Sequence, residues 1–117
     1  RGCIIKKMLR SKFKRELKMV EDALQSEQGE KNFRKYLKPL VEEIADKFLN
    51  NKRVKELALS RESLVEAGWS RFGIALKKYY EKTHSTDWQN EDPYLFSTYF
   101  VWYIRQGMVE YVKSLEG

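Results

Sequence analysis

The chain has 117 residues, of which 42% are apolar and 34% charged, and its formal net charge at pH 7 is +6. This length suits one domain, and the composition is typical of a globular protein rather than of a disordered or fibrous one. No apolar run is long enough to span a bilayer, no secretory leader is recognisable, and the single Cys3 excludes an internal disulfide. We therefore expect a cytoplasmic protein.

The positive charge is concentrated in the first twenty residues. Residues 1–20 carry a charge of +7, whereas the remaining 15 basic and 16 acidic residues give −1. Against a single acid, Glu16, the segment holds eight basic residues: Arg1, Lys6, Lys7, Arg10, Lys12, Lys14, Arg15 and Lys18. Such a segment could bind nucleic-acid phosphates, or it could be a solvated helix face.

Apolar residues recur at helical spacing along most of the chain. The pattern predicts a first helix over residues 3–25 and a second over about 31–50. A polar break at 25–30, with Gly29 at its centre, separates them. Pro39 lies inside the second helix and is expected to bend or restart it.

A third helix is predicted to begin near Ser60 or Ser63, where Ser63 and Glu66 fit a capping box, and to run to about residue 82. The polar segment 83–93 is predicted to be a loop, and the last helix covers about 96–115. The chain is thus predicted to be all-α, a compact bundle of four to five helices.

No residue pattern indicates catalysis. His84 is the only histidine, no Cys or His spacing suits a metal, and no Gly-rich loop is placed to hold phosphate. The carboxylates Glu42, Glu43 and Asp46 are typical of an exposed helix face. We expect no catalytic residue, no cofactor and no metal site, and hence not an enzyme.

The last helix carries more aromatic residues than one core face requires. Its apolar stripe at intervals of three or four consists of Phe96, Phe100, Ile104, Gly107, Met108, Tyr111 and Leu115. A second set is predicted to lie beside or opposite this stripe: Tyr99, Trp102, Tyr103 and Gln106, with Thr98 and Arg105. Such a set indicates a wider core, a protein-docking patch or a platform for unstacked bases.

The segment YLFSTYFVWYIRQGM, residues 94–108, resembles the second region of bacterial sigma factors of the housekeeping type. The family pattern there reads aromatic, any residue, Phe-Ser-Thr-Tyr, two residues, Trp-Trp-Ile-Arg-Gln, a small residue and Ile. The chain has Tyr103 in place of the second Trp. Its matching residues are Tyr94, Phe96, Ser97, Thr98, Tyr99, Trp102, Ile104, Arg105 and Gln106.

Two upstream stretches resemble the same family in the same order. Residues 40–48, LVEEIADKF, resemble its segment with an Ile-Ala-any-Lys-Tyr ending. Residues 63–80 resemble its Asp-Leu-Ile-Gln-Glu-Gly helix and keep Leu64, Gly68, Ala75, Lys78 and Tyr79. The resemblance covers about residues 33–115. It divides the chain into a basic helical segment, 1–30, and a sigma region-two-like domain, 31–117.

The resemblance implies a non-enzymatic transcription initiation module at the nucleoid. Its partners would be promoter DNA, mainly the single-stranded non-template strand of the minus-ten element, and core RNA polymerase, with no membrane partner. Trp102 and Tyr103 would stack against the upstream duplex edge. The strand surface would consist of Tyr94, Phe96, Thr98, Tyr99, Trp102 and Tyr103, with Arg105 on a phosphate and Gln106 on the last paired base.

Polymerase docking is implied for the middle helix of this resemblance, residues 63–80. It would contact a coiled coil of the largest polymerase subunit through Ser63, Leu64, Glu66 and Ala67. The family's Asp, Gln and Glu fall at Ser63, Glu66 and Ala67. The alternative is a sigma-like helical interaction module, a regulator or decoy, that docks a protein and does not bind DNA.

Overall fold

The computed structural model describes residues 2–85 and 94–116, with side chains from Arg10 onward. These residues form only helices: α1 Gly2–Gln25, α2 Glu27–Leu49, α3 Lys52–Glu56, α4 Arg61–Trp69, α5 Phe72–Thr83 and α6 Phe96–Glu116. Five of the helices have nine residues or more, and α3 has only five. The prediction of an all-α bundle is confirmed. Most of the predicted loop 83–93 and the side chains of Arg1, Lys6 and Lys7 lie outside the described residues.

A single residue, Ser26, separates α1 from α2. Its hydroxyl accepts a hydrogen bond from the backbone N–H of Gly29 at 3.0 Å and so caps α2. A Cβ at Gly29 would collide with the carbonyl oxygen of Asp22, so glycine permits the two helices to approach closely. The predicted break thus exists at Ser26, but it is shorter than 25–30 and is not centred on Gly29, which belongs to the first turn of α2. The helix also continues through the exposed Pro39 without restarting.

The predicted third helix is two helices, α4 and α5. The backbone N–H and the hydroxyl of Ser70 both donate to the carbonyl of Ala67, at 3.3 and 2.7 Å, which closes α4 with a tight turn. At its other end, α4 is capped by Ser60, whose hydroxyl accepts from the N–H of Ser63 at 3.1 Å. The predicted capping box starting at Ser63 is therefore wrong by one turn.

Aromatic rings from three helices form the centre of the core. Phe33 of α2 lies 5.0 Å from Phe96 of α6, and Phe72 of α5 lies 5.3 Å from Phe100 of α6, measured between ring centroids. All four side chains are fully buried. Because burial of one large apolar side chain contributes about 1.5–3 kcal/mol, this cluster supplies much of the driving force for folding.

Two glycines bring α4 and α6 into close contact. A Cβ at Gly107 of α6 would collide with the carbonyl oxygen of Ala67, and one at Gly68 of α4 would lie 2.7 Å from the Cε of Met108. At Gly107 the two backbones therefore meet directly, whereas Gly68 leaves room for the side chain of Met108. This crossing fixes the rotation of α6 and hence which of its residues face solvent.

A buried carboxylate joins α1 to the start of α6. Glu16 is 0% exposed and accepts hydrogen bonds from the N–H of Ser97 at 2.8 Å, the Ser97 hydroxyl at 3.0 Å and the Tyr36 hydroxyl at 2.9 Å. Ser97 is in the first turn of α6, where backbone N–H groups lack helical partners and favour a negative charge. Burial and the bond to Glu16 raise the pKa of Tyr36 to about 12. The one acid of the basic segment therefore caps α6.

Candidate nucleic-acid interface

One row of α6 faces solvent. It consists of Thr98, Trp102, Arg105 and Val109, which are spaced by four, three and four residues and therefore share a face. Trp102 is 61% exposed, the highest value among the large apolar side chains that the structure describes. Core packing does not account for an indole in this position.

A second row of α6 lies against α5. The ring of Tyr99 stacks on Tyr94 at 5.8 Å and contacts Tyr79 at 5.6 Å and Tyr103 at 5.2 Å. The hydroxyls of Tyr99 and Tyr103 share a hydrogen bond of 3.0 Å. Burial, followed by this hydrogen bond, raises the pKa of Tyr99. The phenol of Tyr99 therefore stays neutral in the physiological range.

The indole of Trp102 contacts a buried ring on its protein-facing side. The ring of Tyr103 meets it edge to face, with centroids 5.0 Å apart and planes at 88°. This geometry is favourable for the ring quadrupoles, and Tyr103 is itself held by its bond to Tyr99. The indole is thus exposed but supported on one side, as a stacking platform requires.

Two lysines of α5 border the tyrosine row. The ammonium of Lys82 lies 5.7 Å from the ring centroid of Tyr94 and 5.8 Å from that of Tyr99, within cation–π range. Lys78 and Lys82 line an open groove of about 330 Å³ together with Glu81, Ser85 and Tyr99. The sequence analysis did not assign Lys82 to the site, although its position four residues after Lys78 on a helix places both on one face.

The predicted DNA-contacting residues do not all reach the surface. Phe96 is 0% exposed and Tyr103 is 6% exposed. The prediction that Tyr103 lies off the core face is therefore wrong, and Phe96 is part of the ring cluster. Leu115, predicted as core, is 47% exposed. Gln106 is half-buried, one turn after Tyr103 in the same row.

Within the exposed row, Arg105 lies on the side that faces α2, whereas Tyr99 and Tyr103 lie on the side of α6 that faces α5. It lines a groove of about 320 Å³ between α2 and α6, together with Lys47, Phe48 and Val109. The structure therefore separates the predicted phosphate contact of Arg105 from the lysines of α5. Any strand that contacts both must cross the row containing Trp102.

The predicted polymerase-docking residues are only partly available. Leu64 is 0% exposed and packs in the core, while the carbonyl of Ala67 faces Gly107. The hydroxyl of Ser63 is the acceptor for that of Ser60 at 2.8 Å. Glu66 is exposed, so it is the main group that this part of α4 presents to a partner.

The acid that follows the motif is already paired. Glu110 accepts hydrogen bonds from the Arg71 guanidinium, 2.6 Å from each carboxylate oxygen. This bond to Arg71 lowers the pKa of Glu110 and raises that of Arg71. The negative charge beside the site is thereby partly neutralised within the protein.

Comparisons with protein families, curated proteins and solved structures found no match to this chain. Within residues 2–85 and 94–116, no cluster of His, Cys, Asp or Glu could hold a metal ion. None of the helices in that part of the chain combines the length and apolar character that a membrane crossing needs. The functional assignment therefore depends on the chain's own residues and their geometry.

Proposed function

We propose that the chain is a sigma-factor-like transcription initiation module. In this role it works at the nucleoid, binds core RNA polymerase and captures the non-template strand of the minus-ten promoter element. The observation that carries the proposal is the exposed, braced indole of Trp102 within the motif that resembles sigma region two. An exposed ring beside lysines is the usual way for proteins to hold unstacked bases.

The geometry favours a division of roles. Trp102 stacks on a base at the solvent-exposed row, and Tyr99 offers a second, half-buried ring next to it. Lys78 and Lys82 hold phosphates on the α5 side of this surface. Thr98, exposed one turn before Trp102, is available to hydrogen-bond a base edge.

Energetics explain why polymerase belongs to this proposal. Opening DNA costs about 1.4 kcal/mol per base-pair step, so about ten pairs cost on the order of 14 kcal/mol. A captured base returns only about 1–3 kcal/mol, and Trp102 and Tyr99 can hold one or two. The chain can thus trap an open strand but needs polymerase to open the duplex.

The buried rings have a supporting role in the proposal. Phe96 is enclosed by Phe33, Phe72 and Tyr79, with centroids 5.0–6.2 Å away, and Tyr103 lies beneath Trp102. Exposing either ring would require α6 to leave the bundle. We therefore restrict the stacking surface to Trp102 and Tyr99, with Tyr94 at its edge.

The test is the affinity for a fluorescent single-stranded oligonucleotide with the non-template minus-ten sequence. Trp102→Ala should weaken binding by roughly 5- to 150-fold, the equivalent of about 1–3 kcal/mol. Leu115→Ala is the matched control, because Leu115 is also a large exposed apolar side chain, 47% exposed, but lies near the end of α6, more than three turns after Trp102. Circular dichroism should be unchanged in both variants.

The same variants should then be assayed for promoter opening with purified core polymerase. We expect Trp102→Ala and Tyr99→Ala to reduce the open fraction, and Leu115→Ala to leave it unchanged. If both ring variants keep a wild-type fold and open promoters normally, strand capture by this surface is wrong.

A second candidate function is protein docking without DNA binding. It is favoured by α4, whose exposed acids Glu62 and Glu66 lie four residues apart on one face, and by the burial of Phe96 and Tyr103. Binding of purified core polymerase distinguishes the candidates. Glu66→Lys should weaken that binding under either one, whereas Trp102→Ala should lower strand affinity only if DNA is bound.

A further inference from the structure

Helix α1 exposes many cations, of which Arg10, Lys14 and Lys18 form a row on one face because they are spaced by four residues. Its solvent-facing residues include Arg10, Lys12, Lys14, Arg15 and Lys18. At 1.5 Å per residue these positions extend over about 12 Å of helix. Duplex DNA carries one phosphate charge per about 1.7 Å of its axis, so a duplex alongside offers at least one phosphate for each cation of the row.

The two described arginines of α1, Arg10 and Arg15, lack the ion pairs that most arginines of the other helices make. Four arginines elsewhere are paired: Arg34 with Glu30, Arg53 with Glu116, Arg61 with Glu42 and Asp46, and Arg71 with Glu110. Among the described residues, no ion pair involves any of the five cations of α1. Within the described part of the protein these five cations are therefore not held in ion pairs, although Glu16, Glu21 and Asp22 lie on the same helix.

From Phe13 onward, the apolar side of α1 packs against the core. Val20 is 0% exposed, and Phe13 and Leu17 are partly buried against the core. A helix that binds a membrane surface needs this side to enter the lipid. Since this apolar side of α1 packs against the bundle, the remaining cationic side is suited to a polyanion with regularly spaced phosphates.

The position of α1 brings one of its cations close to the proposed strand surface. Lys12 and Ser97 line the same groove, of about 270 Å³, and Glu16 binds Ser97 directly. Thr98, the next residue, begins the exposed row of α6. Lys12 therefore lies near the start of the exposed row of α6, whereas Arg10, Lys14 and Lys18 lie on another side of α1.

We infer that the exposed face of α1 binds the phosphates of duplex DNA adjoining the captured single strand. The inference rests on the proposed function for the location of the duplex, but its residues are separate from the stacking rings. The phosphate contacts add affinity without sequence preference and make binding salt-dependent.

The experiment compares two DNAs with the full chain: the single-stranded oligonucleotide, and the same strand with one end made duplex. The test variant neutralises Arg10, Lys14 and Lys18 together as glutamines. We expect it to lose at least about tenfold in affinity for the part-duplex DNA at low salt and to bind the single strand nearly as wild type. Its plot of log affinity against log salt should become shallower by about three, one for each lost phosphate contact.

The chain offers a matched control on α2. Lys31, Lys35 and Lys38 are also exposed and at helical spacing, so changing all three to glutamine removes the same charge from a different helix. This control should keep most of the affinity and the wild-type salt slope. Equal losses in the two variants would mean that net charge alone acts, and the inference would be wrong.

Other outcomes are equally decisive. Wild-type protein that binds the part-duplex DNA no better than the single strand would overturn the inference. So would binding to vesicles containing phosphatidylserine without binding to duplex. A Trp102→Ala variant with normal single-strand affinity would instead refute the proposed function, while the dependence of duplex binding on α1 would still be measurable.

Discussion

The two ends of α6 are held in different ways. At its start, the buried Glu16 accepts three hydrogen bonds, and the hydroxyl of Tyr79 donates to the carbonyl of Tyr94 at 2.8 Å. Further along, Gly107 crosses α4 with its backbone almost touching that of Ala67. The start is thus fixed by polar groups that depend on pH, and the second half by tight packing that does not. The exposed ring of Trp102 lies between the two.

This difference indicates which part of the helix can adjust. Close packing tolerates little displacement, because even one added methyl group must be accommodated by the neighbours. Hydrogen-bonded groups can instead rotate or exchange partners with water. We therefore expect ligands at the strand surface to influence the first turns of α6 more than the crossing.

The largest expected effect comes from removing the polar anchor. Glu16→Ala leaves the donors of Ser97 and Tyr36 buried without an acceptor and should lower the free energy of unfolding by on the order of 3 kcal/mol. Glu16→Gln should cost less, since its amide oxygen can still accept. Urea denaturation measures both, with Glu21→Ala on the same helix as the control.

Hydrogen exchange would sharpen the result for Glu16→Ala. The amides of residues 97–100 should exchange faster, while those around Gly107 should stay protected. Uniform loss of protection along α6 would contradict the division into two independently held ends.

The next largest effect on stability comes from disrupting the close contact between α4 and α6 at Gly107. Gly107→Ala places a Cβ against the Ala67 carbonyl and should destabilise the protein by about 1–3 kcal/mol. Gly73→Ala is the matched control in α5, because no atom lies within 4 Å of its Cβ position, and it should stabilise by up to about 1 kcal/mol. Thermal unfolding measures both, and equal stability of the two variants would refute the close crossing.

Alkaline pH should act on the polar anchor. Tyr36 has its pKa raised to about 12, and burial also raises the pKa of Tyr79 and Tyr99. Folding therefore favours the protonated phenols. This stabilisation is complete below the unfolded pKa of about 10 and is lost as pH rises through the folded values. Urea midpoints across this range should fall, and Tyr36→Phe should show a smaller fall.

The smallest expected effect on stability concerns the exposed ion pair between Arg71 and Glu110, which lies in the second half of α6. Arg71→Gln removes the partner of Glu110 at a solvent-exposed position, where such pairs are screened by water and salt. We expect an unfolding curve close to that of the wild type at physiological salt. A large loss of stability would mean that this pair, and not only the glycine crossing, holds the second half of α6.

Much of the fold could be predicted from the sequence, because helical periodicity is a local property. The pattern predicted α1, most of α2 and α6, and the burial of Phe96, Phe100 and Ile104. The split at Ser70 could not be predicted in this way, since it depends on a side-chain bond to the Ala67 carbonyl. A continuous pattern gave no sign of it.

The candidate site could be predicted only in part. A helical projection gives the direction of each side chain, but it does not show how much of the helix surface is covered by neighbouring helices. Trp102 was correctly placed outside the apolar stripe, whereas Tyr103 is covered and Leu115 is not. Lys82 belongs to the site because α5 packs beside α6, and the tyrosine row depends on the same long-range contact.

The hydrogen bond between Glu16 and Ser97 spans 81 positions of the chain. During synthesis, the carboxylate of Glu16 emerges long before the amide of Ser97 that it will bind. The carboxylate therefore stays hydrated until α6 has formed. Contacts between residues so far apart in sequence are formed late, because closing the long loop costs conformational entropy before the stabilising contacts can form. Docking of α6 should thus be the step that dehydrates Glu16, so that the surface around Trp102 is completed only when the whole bundle closes.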